Sequence, residues 1–441
     1  MNITLSNPFI IIFIIGTVGS FLLNQVLELI DYRARRKNGG TIPPEIASTP
    51  ASAAFDTERL SKICAYENAK YFSWIPSDIV GLCLTMVLVF SGFYPWLFGK
   101  ICSWTGFPHG WVSSFLSSML FLILSGVPSF IINIPFGLYK EFVVEKKFGF
   151  SKMTFGLWLL DLLKGIILSI LLTSVLLSVM CLLIITFPTM WWIFVTAVIF
   201  IFTIIMQVIY PLIIAPMFNK FTPLEDGELK DKITVLMQNL GFRSNGIFVM
   251  DASKRSGHSN AYFGGLGKSK RIVLYDTLIN QLTTDELVAV LGHELGHYKL
   301  HHITRKLLIM IPMELILMFV LYKCATTVSL YTGFGFDFSQ EQVMNVQIIG
   351  FFLANIVFGD WGELFAPITK FFSRRDEFAA DKFSAKLTGN PDLLCSALVK
   401  LNSENLSELL PPKIYVLWNY DHPTLTERVR ALKKIDFSQI I

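Results

Sequence analysis

The amino-acid sequence predicts an all-α polytopic membrane protein with seven transmembrane helices and a mostly helical polar region that carries a small β element. Of its 441 residues, 53% are hydrophobic and only 16% are charged, whereas soluble domains carry about 25% charged residues. A spanning helix needs about 20 mostly apolar residues. Seven segments approach this length: residues 9–30, 79–98, 113–138, 157–187, 191–215, 307–325 and 346–365.

Basic residues are concentrated on one side of this predicted topology. Nearly all Lys and Arg fall in residues 31–78, 139–156, 216–306 and 366–441, and the opposite side has only Lys100 as a clear basic residue. Cytosolic loops are enriched in Lys and Arg. We therefore expect the N-terminus to be outside or lumenal and the C-terminus to be cytosolic. Because no Lys or Arg precedes the first span and no small-residue cleavage site follows it, we do not expect a cleaved signal peptide.

Two polar segments divide the chain into four parts. Residues 1–217 hold the first five spans, 218–305 form a polar segment, 306–366 hold the last two spans, and 367–441 form a second polar segment. Both polar segments fall on the predicted cytosolic side and can form one split domain. The net charge of +4 is small and dispersed, so it gives no support for a nucleic-acid partner.

The first polar segment contains the sequence His293-Glu-Leu-Gly-His297. Residues 282–300 have a helical pattern, and residues four apart on a helix share one face. His293 and His297 can therefore direct imidazole nitrogens at one metal ion, with Glu294 beside it. Two imidazoles and a third protein ligand leave a position on zinc for water, whose proton the carboxylate can accept. The alternative interpretation is a chance match on a surface helix.

A third ligand must come from elsewhere in the chain. Residues 373–382, with the sequence SRRDEFAADK, follow the seventh predicted span and have helical spacing. Glu377 and Asp381 share a face, so one can bind zinc while the other accepts a hydrogen bond from a ligand histidine. The residues alone leave Asp376, Asp381 and Glu363 open as alternatives to Glu377.

Together these motifs resemble those of the type I CAAX prenyl proteases, which are membrane zinc endoproteases that mature farnesylated proteins. The matching stretches run in the family's order and, with the seven spans, cover nearly the whole chain. They are FVVEKKFGF (142–150), PMFNKFTPL (216–224), GHSNAYFG (257–264), HELGH (293–297), EFAAD (377–381) and HPTLTER (422–428). One departure is Thr424, which stands where many members have a second proline.

The resemblance implies a role for each matching site residue. Asp381 would accept a hydrogen bond from a histidine that binds zinc. The implied ligands of the single zinc ion are His293, His297 and Glu377. The residues implied in catalysis are Glu294, as the base that activates water, and Asn260, His422 and Arg428, which would line the active site where the substrate backbone and transition-state charge are stabilised.

The resemblance also implies the architecture and the reaction. Seven helices would surround a water-filled chamber, with a gluzincin-type protease domain at its cytosolic end. The substrates would be prenylated, chiefly farnesylated, C-terminal C-a-a-X peptides in contact with the lipid bilayer. The enzyme would remove their last three residues, and a second upstream cut is compatible with the family. The implied location is the endoplasmic reticulum membrane, with the inner nuclear membrane as a second site. Because residues 436–441 carry no dilysine retrieval signal, this address depends on the resemblance alone.

Further expectations concern the surroundings of the motif. An internal wet chamber would shelter polar residues of the spans such as Asp161, because charges in lipid are costly. Either Ile247–Met250 or Arg271–Tyr275, both predicted strands, could pair with an extended substrate. His258 is expected to be a solvated loop residue. His301 and His302 are expected to be interfacial, without a catalytic role.

Other functions are compatible with parts of this pattern. A membrane quality-control metalloprotease of unprenylated proteins shares the histidine motif but usually has fewer spans. A site-2-like intramembrane protease buries its motif within a span, whereas charged residues such as Asp285 and Lys299 flank the motif here. A transporter or a silent scaffold would not need an intact ligand set together with Glu294.

Overall fold

The first half of the chain folds almost entirely into helices. The computed structural model describes residues 5–107, 110–242, 244–265 and 270–435, so the tail at 436–441 lies outside the described residues. The helices before the first strand are α1 (Pro8–Asn38), α2 (Pro44–Ala47), α3 (Thr57–Phe90), α4 (Phe93–Thr105), α5 (Trp111–Tyr139), α6 (Lys146–Phe148), α7 (Phe155–Thr186), α8 (Trp191–Ile209) and α9 (Ala215–Phe218).

Six helical segments of the described chain are long and apolar enough to cross a membrane, which confirms the multi-pass prediction. They are Pro8–Asn38, Thr57–Phe90, Val112–Phe148, Phe155–Thr186, Trp191–Phe218 and His302–Ala325. The predicted second span, residues 79–98, had the wrong boundaries. Helix α3 begins at Thr57, where the Asp56 side chain accepts a hydrogen bond from the Arg59 amide at 2.7 Å. It ends before Gly92, whose φ of 74° starts the separate helix α4.

A small sheet and three helices follow α9. They are β1 (Phe221–Pro223), α10 (Glu228–Asn239), β2 (Ile247–Met250), β3 (Ala261–Gly264), β4 (Arg271–Tyr275), α11 (Asp276–Gln281) and α12 (Thr284–Lys299). The strand order is β1-β2-β4-β3, with β2 parallel to β4 and both outer pairs antiparallel. Both predicted strands are confirmed, but each has a neighbour on both sides. The prediction that β2 or β4 pairs with a substrate is therefore wrong, and the sheet edges are β1 and β3.

The expected seventh span, residues 346–365, is not one continuous helix. The helices of this part are α13 (His302–Ala325), α14 (Val328–Gly333), α15 (Gln340–Asn345), α16 (Gln347–Phe358) and α17 (Trp361–Leu364). The break lies at Asp360. Its carboxylate accepts a hydrogen bond from Thr17 at 2.6 Å, and its carbonyl accepts one from Ser20 at 2.8 Å. These bonds tie the residue at the break to α1.

The last segment returns to the polar region. Its helices are α18 (Ala366–Thr388), α19 (Pro391–Glu404), α20 (Lys413–Asn419) and α21 (Leu425–Lys433). Helix α12 packs against both α18 and α19. Leu291 and Leu295 of α12 are fully buried and share a core with Ala397 of α19. The two polar segments, although far apart in sequence, therefore pack together.

Polar residues of the membrane helices are paired and also line cavities. Asn24 donates to Glu363 at 2.6 Å, and Gln25 donates to Asp78 at 2.8 Å. Two cavities of about 480 and 470 Å³ adjoin each other, and the second extends to His422. The residues that line both are Asp31, Glu67, Lys70 and Tyr415. Shelter for these polar groups therefore comes from interhelical pairing as well as from a polar cavity.

Candidate metal centre

Helix α12, which carries the histidine motif, is fixed at its start by a capping box. The Thr283 side chain accepts from the Glu286 amide at 3.4 Å, and Glu286 accepts from the Thr283 amide at 2.9 Å. The buried Glu286 carboxylate also accepts hydrogen bonds from Ser396 at 2.5 Å and Lys400 at 2.8 Å on α19. These bonds satisfy free amides of the first turn and set the helix against its neighbour. The predicted helix at 282–300 is confirmed.

Three side chains from α12 and α18 converge on one point. The Nε2 atoms of His293 and His297 are 3.2 Å apart. Each lies 3.2 Å from a carboxylate oxygen of Glu377. One ligand atom from each residue can be chosen such that all three lie within 4.8 Å of one another. The structure thus brings together the three residues expected to bind zinc.

The hydrogen-bond chemistry of this cluster fits a bound cation. Nδ1 of His293 lies 2.8 Å from Oδ1 of Asp381, so the ring hydrogen belongs on Nδ1 and the lone pair of Nε2 faces Glu377. Oε2 of Glu377 is buried and has no hydrogen-bond partner among the residues that the structure describes. Two lone-pair donors facing each other at 3.2 Å are satisfied by a cation between them. Two imidazoles, one carboxylate and an open position form the donor set of a catalytic zinc site.

The electrostatics of the cluster also favour positive charge. Burial lowers the pKa of His293, but the adjacent Asp381 and Glu377 carboxylates outweigh it and raise the pKa to about 9. Burial raises the pKa of Asp381, but the Arg428 guanidinium and the bond from His293 bring it down to about 2. Burial also raises the pKa of Glu377, but the two adjacent imidazoles outweigh it and hold this pKa well below its usual range. Both carboxylates are therefore charged at neutral pH.

Asp381 connects the cluster to α21. It accepts two hydrogen bonds from Arg428, at 2.6 and 2.9 Å, and Arg428 lies 3.3 Å from Nδ1 of His293. Asp381 is only 2% exposed. A carboxylate held by an arginine in this way fixes the tautomer and the orientation of a ligand histidine.

Replacing Asp381 by asparagine is expected to weaken zinc binding by roughly 10- to 100-fold, as is typical when such an outer partner is lost. The amide is a weaker acceptor for the His293 ring hydrogen and leaves Arg428 without its counter-charge. Competition with a chelator of known affinity measures the effect. Asp392→Asn, on the exposed first turn of α19, is the matched control. Equal affinities in both variants would contradict this role.

Glu294 is the remaining acidic group at the centre of the motif. Its side chain is partly exposed, and among the described residues no group donates a hydrogen bond to it. Burial raises its pKa, although the positive charges of His293 and His297 oppose this. A carboxylate beside the cluster with free acceptor capacity and a raised pKa is suited to accept a proton.

His422 approaches the open side of the cluster. Its Nε2 lies 3.5 Å from Oε1 of Glu377 and its Nδ1 lies 2.7 Å from Asp421, while 56% of the side chain is exposed. The Asp421 hydrogen bond raises the pKa of His422, against the opposing effect of burial. Arg374 of α18 donates to the carbonyl of Tyr420 at 2.6 Å and so anchors the segment that carries His422.

Comparison with known proteins places this arrangement in a family. Residues 31–220 match the model "CAAX prenyl protease N-terminal, five membrane helices", and residues 223–436 match "Peptidase family M48". CAAX prenyl protease 1 of Saccharomyces cerevisiae is 36% identical over 91% of this chain and 91% of its own length. The chain belongs to the CAAX prenyl protease family. The human CAAX prenyl protease 1 homolog is 33% identical over 89% of this chain and 88% of its own. The crystal structure of S. mikatae Ste24p superposes with a TM-score of 0.86 at 34% identity, covering 96% of this chain and 99% of that one.

Membership of this family confirms the resemblance identified from the motifs. Peptidase family M48 consists of metalloproteases, and the chain is accordingly a multi-pass membrane metalloprotease of zinc type. The structural match extends to nearly the full length of both chains, so the two proteins share one fold over that length.

Two glycines allow the ligand helices of this family member to approach closely. A Cβ on Gly296 would lie 3.2 Å from Cα of Ala380, and one on Gly292 would lie 3.1 Å from Oγ of Ser384. Ser384 in turn donates to the carbonyl of Ala289 at 2.5 Å. This approach lets Glu377 reach the histidines of α12. Sequence reasoning missed these positions, although their spacing of four on the motif helix was a usable signal.

The other acidic candidates for the third ligand have different partners. Asp376 pairs with Arg305, and Glu363 accepts from Asn24 at 2.6 Å. Asn260 accepts a hydrogen bond from the Ala261 amide at 2.8 Å. Within the described chain, the structure does not bring the Asn260 side chain into hydrogen-bond contact with the three ligands, so its catalytic role stays a prediction.

Two other histidines make specific contacts. His302 is 3% exposed and its Nδ1 lies 3.0 Å from Nδ1 of His297, so it is buried against the motif helix. Because His302 is also the first residue of the candidate span His302–Ala325, its interfacial position stays a prediction. His258 stacks on Phe150 with ring centroids 3.9 Å apart, and its Nε2 lies 3.5 Å from Glu145. It is therefore a packing residue between the polar region and the membrane helices, and not merely solvated.

Proposed function

We propose that this protein is a zinc-dependent membrane endoprotease that hydrolyses peptide bonds near the C-terminus of prenylated C-a-a-X proteins. The observation that carries the proposal is the convergence of His293, His297 and Glu377 beside Glu294, which has no hydrogen-bond donor within the described part of the chain. The chain also matches, over most of its length, relatives named CAAX prenyl protease 1. Removal of the last three residues, with a second upstream cut in suitable substrates, is the reaction that follows.

Each side chain of the site has a distinct task in this reaction. Zinc, when bound by His293, His297 and Glu377, supplies a Lewis acid and lowers the pKa of the attacking water. Glu294 accepts a proton from that water while the water oxygen forms a bond to the scissile carbonyl carbon. It then returns the proton to the amine nitrogen as the C–N bond breaks. His422, whose pKa is raised, donates a hydrogen bond to the oxygen on which negative charge develops.

The free edge of β3 is the place for the substrate backbone. The Asn260 carbonyl accepts from the Tyr275 amide at 3.1 Å, so alternate residues of β3 bond to β4. In an antiparallel pair, Ala261 and Phe263 then turn their backbone groups away from β4. The Ala261 amide already donates a hydrogen bond to Oδ1 of Asn260. The Ala261 carbonyl and the amide and carbonyl of Phe263 are therefore the groups to which an extended peptide can bond. Strand β3 packs against α12, which places this edge beside the motif helix.

Arg428 has a supporting task in this proposal. Arg428 donates two hydrogen bonds to Asp381, and its side chain is only 11% exposed. It therefore acts through Asp381 on the ligand His293, in place of the direct stabilisation of transition-state charge that the resemblance suggested.

The membrane setting favours a lipidated substrate at a cytosolic face. Lys and Arg collect on the side that carries both polar segments, which by the positive-inside rule is the cytosol. The polar cavity that reaches His422 is also lined by Glu67 and Lys70 of α3 and by Asp31 of α1, so the site opens toward the membrane helices. We propose the endoplasmic reticulum membrane as the location and farnesylated proteins as the main substrates.

The test is cleavage of synthetic C-a-a-X peptides, with and without an S-farnesyl group, by the purified full chain in lipid nanodiscs. Mass spectrometry is expected to find a product three residues shorter from the farnesylated peptide. A zinc chelator should block its formation, and added zinc should restore it. Equal cleavage of the unfarnesylated peptide would favour a quality-control protease. Cleavage that resists the chelator, or no cleavage, would refute the proposal.

A further inference from the structure

The chain makes an unusual turn immediately after the motif helix. Helix α12 ends at Lys299 and α13 begins at His302. Between them His301 adopts the left-handed conformation, with φ 58° and ψ 30°. A residue other than glycine takes this conformation only where the surrounding structure imposes it, and such residues cluster at functional sites. The consequence of the turn is that His302 folds back against the motif helix.

His302 lies directly behind the ligand His297. Their Nδ1 atoms are 3.0 Å apart, and the rings meet edge to face, with centroids 5.0 Å apart at an angle of 74°. His302 is 3% exposed. The contact is therefore a hydrogen bond between two imidazoles, sheltered from water, on the side of His297 opposite the metal centre.

The metal centre fixes the direction of this hydrogen bond. Nε2 of His297 faces Glu377 and must present its lone pair to a cation, so the ring hydrogen belongs on Nδ1. Within the described chain, Nδ1 of His302 is the group that can accept it. The hydrogen of His302 then lies on Nε2, which faces Oδ1 of Asp376 at 3.9 Å. Asp376 is 3% exposed and pairs with Arg305.

The two ligand histidines thus have parallel supports. Nδ1 of His293 contacts Asp381, which accepts two hydrogen bonds from Arg428. Nδ1 of His297 contacts His302, which faces Asp376, and Asp376 pairs with Arg305. We infer that His302 is a positioning residue that fixes the tautomer and orientation of His297 for zinc. This inference rests on the zinc ligands proposed above, and its chemistry is a neutral imidazole acceptor in place of the usual carboxylate or carbonyl.

Zinc affinity of the full-length protein tests the inference without any substrate. Metal-free protein is titrated with Zn²⁺ against a chromophoric chelator, and Co²⁺ is added separately to record its visible spectrum. His302→Leu, which keeps the volume but removes the acceptor, is expected to weaken zinc binding roughly 10- to 100-fold and to change the Co²⁺ spectrum. His302→Asn offers an amide oxygen near the position of Nδ1 and should recover most of the lost affinity. His301→Asn, exposed and tolerant of the left-handed turn, should bind zinc like the parent.

Each outcome supports or overturns the role of His302. Parental zinc affinity in His302→Leu, or an affinity in His302→Asn as low as in His302→Leu, would overturn it. If His302→Leu does not fold, Asp376→Asn replaces it. Unchanged zinc affinity in that folded variant would count against support of His297 by His302 and Asp376. His297→Ala separates this question from the proposed site itself. If that variant binds zinc as tightly as the parent, then the ligand assignment fails, and the role of His302 fails with it.

Discussion

Replacing Glu294 by glutamine is expected to abolish peptide hydrolysis while leaving zinc bound. Glutamine has nearly the same shape but cannot accept a proton from water, and general-base catalysis contributes roughly 10²- to 10⁴-fold to a rate. The carboxylate is not among the three converging ligand groups, so metal content should stay at the parental level. Turnover of a farnesylated C-a-a-X peptide and zinc analysis of the same preparation measure the two effects together.

Glu404→Gln is a matched control for that substitution. Glu404 is a partly exposed carboxylate that pairs with Arg59 at 2.8 Å near the end of α19, away from the ligand residues. It should retain both zinc and turnover. Near-parental turnover in Glu294→Gln would show that Glu294 has no part in the mechanism. Loss of zinc from the Glu294→Gln variant would instead indicate that Glu294 is a zinc ligand.

Replacing Glu377 by alanine is expected to abolish zinc binding and activity together. This residue supplies the oxygen ligand, and its loss leaves two imidazoles that cannot hold the ion alone against solvent. The fall in zinc affinity should exceed the roughly 10- to 100-fold effect of outer residues such as Asp381. Zinc content after dialysis against a weak chelator is the measurement. Added zinc at high concentration should restore little activity.

Glu363→Gln provides the comparison for Glu377. The sequence alone left Glu363 open as the third ligand, but its carboxylate bonds to Asn24 of α1. This variant should keep its zinc. Loss of zinc from Glu363→Gln together with its retention in Glu377→Ala would reverse the assignment.

The local part of the metal centre could be predicted from the sequence because it depends on helical geometry. His293 and His297 share a face of one helix, and the helix start carries its own capping residues. Glu377 was different. The spacing on α18 put Glu377 and Asp381 on the same helix face. It did not show which of the two carboxylates lies next to Nε2 of the two histidines as the third ligand. Only the approach of α12 and α18, allowed by Gly292 and Gly296, decides this.

The parts of the fold that could not be predicted depend on long-range contacts. The strand order, in which β3 and not β2 or β4 has a free edge, is set by pairing between distant residues. At the break, Asp360 accepts hydrogen bonds from Thr17 and Ser20, which are far away in the chain. The contact of His302 with His297 depends on a left-handed turn at His301, which hydropathy does not reveal. Composition, in contrast, was sufficient to predict a multi-pass membrane protein.

The measurement that tests the central claim most directly is anomalous X-ray scattering from crystals of the full chain, recorded on both sides of the zinc absorption edge. The account predicts one strong zinc peak, within bonding distance of Nε2 of His293, Nε2 of His297 and the carboxylate of Glu377. A zinc peak held by other residues, or no peak in protein that cleaves its substrate, would contradict it.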